Sequence, residues 1–431
     1  MKPRYPWVVF VPGLLLAGLS AWMASWGDLS AIIPKFLVGF TGLFLLYVAA
    51  VIALARVRVA HRPTLIFIFA VALACRVTLL FGPPTLSNDI YRYLWEGRVI
   101  VAGHNPFALP PDAPELETLR DENYPGINHP RLETIYPPLA QGVFWIGAAV
   151  EPDLRTQKVL FVFFDMATMV MLLLLLRSRG RNVHLCAVYG WSPLVLVEFS
   201  HSGHMDSVGI FFLVLALLLL EKRATWMGFV SLALSFLAKY LAALLVPFFL
   251  FKKKYVPWLL LFGAVAVAGY LPFAGAGSGL VASLRTYGTR WEFNSLLFSV
   301  LKRVFGDPDR IHLVLFACVG AYALLQGYAR KDPVKFAYRV IACSLLLSPT
   351  VYPWYIVWIV PFLCFYSSRA WLFFSGAVAA SYWVWVGYPQ NGVWEVGWVP
   401  LLLQYVPFYA LLGHEAWRGA RSKSARLRES S

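Results

Sequence analysis

Apolar residues run unbroken for roughly 15–25 positions again and again along this chain, which is the length scale of a bilayer crossing. Such runs fall at 7–26, 33–55, 63–81, 137–150, 157–176, 183–199, 205–220, 225–251, 256–273, 311–329, 336–348, 352–366, 370–387 and 397–413. They are continuous and not alternating, which excludes a β-barrel. With 59% hydrophobic residues, 431 residues hold far more apolar surface than one soluble core can bury, so lipid must cover the outside of a helix bundle. Several runs fall short of about 20 residues, so the expectation is an all-α polytopic membrane protein of about 11–14 transmembrane helices, some of them tilted, broken or re-entrant. The 225–251 run carries Lys239 near its middle and reads as one helix or as a hairpin of two.

The net charge of +15 does not point to nucleic acid, because the basic residues sit in short clusters between the apolar runs and no nucleic-acid-reading motif accompanies them. The clusters are Arg56/Arg58/Arg62, Arg177/Arg179/Arg181, Lys222/Arg223, Lys252/Lys253/Lys254, Arg330/Lys331/Lys335 and the tail from Arg418 to Arg428. That is the cytoplasmic-loop pattern of a membrane protein. It places the 82–136 loop and a second polar stretch, 275–294, outside, with an interfacial helix expected in the latter. The 418–431 tail reads as a disordered cytoplasmic strip on anionic lipid, and 1–431 as a single transmembrane domain. One conflict stays open: Arg177 to Arg181 fall outside if 137–150 spans, and inside if it is re-entrant. Lys2 and Arg4 precede an apolar run with no small-x-small site, so it reads as a retained first helix. Cys75, Cys186, Cys318, Cys343 and Cys364 all lie in apolar runs and read as small core hydrophobes.

The polar loop 82–136 concentrates charge in a chain that is only 14% charged, and a long polar loop is usually a functional one. Asp89 follows a Gly-Pro-Pro turn and opens Ile90-Tyr-Arg-Tyr-Leu-Trp-Glu, a helical pattern, so its carboxylate belongs at the water edge of the membrane. It reads either as a general base for a lipid-borne hydroxyl or as a helix N-cap, a task open also to Ser87 and Asn88. His201-Ser-Gly-His204-Met-Asp206 reads as a metal-ligand cluster or as a plain polar turn, with Glu198 a solvated helix end. Lys239 inside an apolar run needs an anion or a route to the interface. Arg285, Arg290 and His129 are outer-side cations able to meet a phosphate. The aromatic, proline-rich entries at Tyr136-Pro-Pro and Ser348-Pro-Thr-Val-Tyr352-Pro-Trp-Tyr suit a sugar-site rim or the interfacial aromatic belt.

Together, Asn88-Asp-Ile-Tyr-Arg92-Tyr-Leu-Trp-Glu96-Gly-Arg, Gly103-His-Asn-Pro-Phe, Thr134-Ile-Tyr136-Pro-Pro, Gly203-His204-Met-Asp206 and Ser348 to Tyr355 resemble the integral-membrane glycosyltransferases of the GT-C fold. They look most like the bacterial polyprenol-phosphate-mannose-dependent mannosyltransferases, over residues 60–370. The resemblance implies a GT-C-like bundle in the bacterial inner membrane and inverting transfer of mannose from a polyprenyl-phosphate donor to a lipid or glycan acceptor. It gives Asp89 the part of catalytic base. Substrate contacts are then expected from Asn88, Arg92, Glu96, His129, Tyr136, His204, Asp206, Lys239, Arg285, Arg290 and Tyr352. No cofactor is required, and a divalent metal enters only through a variant using Asp89, His204 and Asp206. The chain departs from the pattern in carrying two apolar runs ahead of the catalytic one and no obvious soluble C-terminal domain. The competing readings are a flippase or transporter of a lipid-linked sugar, and a glycan polymerase or ligase.

Overall fold

The computed structural model describes residues 7–56 and 62–429, so Lys2, Arg4, Arg58 and the last two residues of the tail lie outside the described part. Among the described residues every regular element is helical, and the one isolated β-bridge joins Phe293 to Thr350. Among the described residues six helices are long and apolar enough to cross a membrane: Ser30–Ala55, Arg62–Leu80, Leu154–Ser178, Lys253–Ala276, Pro308–Ala329 and Arg369–Asn391. Val183–Gly190 and Pro193–His201 form a further pair, bent by 53°. Other apolar runs become shorter helices, such as Val9–Ala24, Pro138–Val150 and Thr225–Ala238. The protein is a multi-pass, all-α membrane protein, as its apolar runs require.

Two pairs of contacts set the register that positions the site. Arg76 and Asp165, both fully buried, meet at 2.5 Å, and Arg76 also donates to the Gly190 carbonyl at 2.7 Å. A charge inside a membrane bundle persists only when so matched. Further along, Lys158 Nζ donates to the carbonyls of Leu80 and Gly82 at 2.7 and 2.8 Å, the C-terminal end of the Arg62–Leu80 helix. The two helices are therefore antiparallel, and Lys158, near the start of the 25-residue helix Leu154–Ser178, and Arg179, at its C-cap, stand about 32 Å apart at 1.5 Å per residue.

The Arg179 end gathers the basic clusters. Arg179 pairs with both Glu221 and Asp332 at 2.8 Å, which brings Lys222/Arg223 and Arg330/Lys331 to this end. The Tyr240 and Tyr270 hydroxyls meet at 2.7 Å at the other end, so the Lys252–Lys254 turn between their helices returns to the basic one. Pro138–Val150, shorter than the six spans, packs against Asp89–Val101, and its Phe144 carbonyl accepts from Gln157 Nε2 at 2.8 Å, one residue before Lys158; Leu154–Ser178 is long enough to carry the chain across. The long 225–251 run is broken at Lys239, whose backbone is extended (φ −154°, ψ 132°). The tail is not a disordered strip. Its Arg, Lys, Ala and Leu residues are good helix formers, and the backbone stays helical from Trp398 to Glu429.

Candidate functional site

The site is built around Asp89, the first residue of a 13-residue helix, Asp89–Val101. The chain reaches it from Arg62–Leu80 through Gly82-Pro83-Pro84, a segment fixed by Lys158 on one side and by Trp385 Nε1, which donates to the Leu86 carbonyl at 3.1 Å, on the other. The capping reading of Asp89 does not hold: Ser87 Oγ accepts from the Asp89 amide at 3.3 Å, and the carboxylate makes no cap. Asp89–Val101 packs so closely on Pro138–Val150 that a Cβ on Gly97 would lie 2.2 Å from the Phe144 carbonyl oxygen. Tyr93 stacks on Phe144 with centroids 4.7 Å apart.

Asp89 opens onto a cavity of about 540 Å³, with its side chain 18% exposed. Asn128 Nδ2 donates to its Oδ1 at 3.1 Å, and His204 Nδ1 stands 3.7 Å from its Oδ2. Burial pushes the Asp89 carboxyl up to about 6, against the opposing pull of the Asn128 hydrogen bond and the Lys239 charge. Across the cavity, Lys239 Nζ pairs with Asp206 Oδ1 at 2.5 Å and lies 4.3 Å over the Tyr355 ring. Trp358 Nε1 donates to the same Asp206 oxygen at 2.6 Å. One wall is a column of parallel rings, in which His204 stacks on Trp354, Trp354 on Tyr352, Tyr352 on Phe293 and Phe293 on Trp394. Such faces suit the apolar face of a sugar or a prenyl chain.

Of the expected site residues, Asn88, Asp89, Arg92, His129, Tyr136, Asp206, Lys239, Arg290 and Tyr352 all line this cavity. Three do not. Glu96 is buried beneath it, accepting from Arg92 Nε at 2.6 Å, Thr134 Oγ1 at 2.8 Å and Gln141 Nε2 at 2.6 Å, so its carboxylate ties the Asp89–Val101 helix to the end of the loop. Arg285 is exposed, one turn before Arg290 on the Gly279–Arg290 helix expected within 275–294, and stays outside the cavity. His204 lies behind Asp89 and Trp354, fully buried. Arg92, although at the cavity, has its fork committed to Glu96 and to the His129 and Leu132 carbonyls. Among the described residues, no group of three His, Cys, Asp or Glu is arranged to hold a metal ion.

Sequence reasoning missed Asn128, whose only signal is a polar residue ahead of the left-handed His129 (φ 49°), and the cavity tryptophans Trp291, Trp385 and Trp394. It also misread Glu198. That residue is no solvated helix end but a fully buried carboxylate in a π-helical turn, Val197–His201, accepting from the Tyr382 hydroxyl at 2.7 Å. The 82–136 and 275–294 segments meet where Ser283 Oγ donates to Glu133 at 2.7 Å.

None of the curated proteins and none of the solved structures compared with the chain matches it. Residues 11–253, more than half of the chain, match the family model described as alpha-(1->6)-mannopyranosyltransferase, N-terminal domain. This match contains Asp89, His204, Asp206 and Lys239, while the Tyr352–Trp354 wall and Arg290 come from the part beyond it. The chain therefore belongs to the alpha-(1->6)-mannopyranosyltransferase family and is a membrane mannosyltransferase.

Proposed function

We propose that this protein transfers mannose from a polyprenyl-phosphate carrier to a hydroxyl of a lipid or glycan acceptor, with inversion, at the extracytoplasmic face. The observation that carries the reading is Asp89 at a cavity on the end of the bundle away from Arg179 and the basic clusters, with Lys239 and Arg290 on the same cavity. Basic clusters mark the cytoplasmic side, so the cavity belongs to the opposite one, where nucleotide sugars are absent and a lipid-borne donor is the natural source.

Asp89 acts as the general base. It accepts the proton of the acceptor hydroxyl as that oxygen attacks the anomeric carbon, and the carbon–oxygen bond to the carrier phosphate breaks with its electron pair going to the phosphate. The proton affinity that burial gives Asp89 suits this task near neutrality, since a base that is too weak takes no proton. Lys239 and Arg290 are the cavity cations placed to meet the leaving phosphate, and Arg290 makes no ion pair among the described residues. An α-(1→6) product, as the family description suggests, makes the nucleophile a primary hydroxyl on a flexible arm, which fits a base recessed in a cavity.

The test offers purified protein in liposomes a polyprenyl-phosphate-mannose donor, and separately a nucleotide-mannose donor, with a mannosylated acceptor. Product from the first alone supports the reading. Movement of intact donor across the bilayer without transfer would assign a flippase, and transfer only of preassembled glycans a ligase.

A further inference from the structure

Glu198 has no role in the reaction so far, yet it sits in line with the base. Its Oε2 is 3.5 Å from His204 Nε2, and the other ring nitrogen, Nδ1, is 3.7 Å from Asp89 Oδ2. His204 and Glu198 are fully buried, and neither ring nitrogen nor Glu198 Oε2 has a hydrogen-bond partner. Three orphaned polar atoms facing one another in a dry interior are costly unless they serve one another. Both gaps are a few tenths of an ångström beyond a hydrogen bond, and catalytic hydrogen bonds often tighten only when substrate binds. The ring lies flat on Trp354 at 3.9 Å, a contact that lets it slide in its own plane.

The charges facing the chain decide where its protons go. Asp89 meets His204 from the Asp89–Val101 helix, Asp206 and Lys239 neutralise each other beside it, and Tyr382 donates to Glu198 Oε1. Among the described residues no lysine or arginine pairs with Glu198. Two carboxylates bridged by one neutral ring in a low-dielectric site do not both ionise.

We propose that Asp89, His204 and Glu198 form one proton-sharing chain in which Glu198 carries the proton and Asp89 the charge. The protonated Glu198 Oε2 donates to His204 Nε2, which fixes the ring with its proton on Nδ1, and Nδ1–H donates to Asp89 Oδ2. Asn128 holds the other oxygen. His204 and Glu198 are thus positioning residues, which aim the base and keep it ionised despite its burial. This inference rests on Asp89 being the base.

The test is the pH profile of kcat/KM in reconstituted protein, for wild type, Glu198→Gln and Tyr382→Phe, with Asp89→Asn as control. Wild type should show an acid limb from Asp89 and an alkaline limb from loss of the Glu198 proton. Glu198→Gln should lower kcat about three- to tenfold and abolish the alkaline limb while leaving the acid limb. Tyr382→Phe removes a donor that favours ionised Glu198, so its alkaline limb should move to higher pH; this variant also serves if the glutamine variant fails to fold. An alkaline limb unchanged in both variants, its absence from wild type, or complete loss of activity in Glu198→Gln at every pH would overturn the chain. If Asp89→Asn keeps full activity, the base assignment itself fails. If Asp89→Asn is inactive and the limb does not move, only the chain does.

Discussion

Lys158 Nζ closes the end of the helix that leads into the 82–136 loop, donating to the Gly82 carbonyl at 2.8 Å and to the nearby Leu80 carbonyl at 2.7 Å. A helix end leaves carbonyls without partners, and here a side chain from the next span supplies partners for them inside the protein, seven residues ahead of Asp89 in the chain.

Lys158→Met should therefore destabilise the protein by roughly 2–4 kcal/mol, since each buried carbonyl left unsatisfied costs about 1–3 kcal/mol. Thermal unfolding in detergent measures the loss. Transfer activity should fall at temperatures where the variant is still folded, because the Gly82 turn sets the depth of Asp89. A variant as stable as wild type would show that water caps the helix equally well.

Two glycines on touching helices should respond in opposite ways. Gly97→Ala puts a methyl 2.2 Å from the Phe144 carbonyl oxygen and must push Asp89–Val101 off Pro138–Val150, with loss of both stability and transfer. Gly142 has nothing within 4 Å of an added Cβ, so Gly142→Ala should gain about 0.5–1 kcal/mol from helix propensity. Denaturation midpoints of the pair check this. Equal effects at both positions would contradict the packing described.

Asp89→Asn keeps the shape and removes the proton acceptor, so kcat should fall by roughly 10²–10⁴ while donor binding persists. The pH dependence follows from the carboxyl being raised from 3.8 to about 6. A base must be ionised, so the acid limb of kcat/KM should drop tenfold per pH unit below about 6, with a plateau above it that ends at the alkaline limb assigned to Glu198. The stability sign runs the other way: a raised acid favours folding below its unfolded value, and that contribution is lost as pH climbs through about 6. The charged Asp89 thus burdens the fold at neutral pH, and the asparagine variant should be more stable there, by up to about 3 kcal/mol. An asparagine variant with wild-type turnover would remove Asp89 from the chemistry.

Lys239 and Arg290 separate charge balance from donor binding. Lys239→Met leaves the buried Asp206 carboxylate with Trp358 as its remaining donor, an uncompensated charge costing about 3–5 kcal/mol, and Asp206→Asn added to it should restore folding. Arg290, exposed and free of any ion pair among the described residues, should lose donor affinity about tenfold on change to Gln with unfolding unchanged. Isothermal or fluorescence titration with a polyprenyl phosphate reads both. Unaltered binding in Arg290→Gln would pass the phosphate to Lys239.

The sidedness is checked by Glu117→Cys, an exposed position in the 82–136 loop. In spheroplasts of cells expressing a variant otherwise free of accessible thiols, it should react with an impermeant maleimide before lysis. Labelling only after lysis would put the cavity in the cytoplasm.

The sequence by itself determined the solvent, the fold class and where the polar site lies along the chain. Long apolar runs demand helices in lipid, and a cluster of charge in so apolar a chain stands out whatever surrounds it, which is why Asp89, Lys239 and Asp206 were legible and meet at one cavity. It could not tell which faces of the helices meet. In a soluble protein the polar face of a helix points to water, but lipid is as apolar as the core, so lipid-facing and buried residues look alike and periodicity loses its meaning. Tertiary structure alone decided that Pro138–Val150 lies beside the Asp89–Val101 helix, that Glu96 is a buried tie and not a substrate contact, and that Arg285 stays outside the cavity where Arg290 enters. It also brought Glu198 and Tyr382, 184 residues apart, together behind His204 and Asp89. Polar groups so far apart in sequence find each other because an unpaired one inside the bundle has no water to turn to, and no local pattern records which partner each will take.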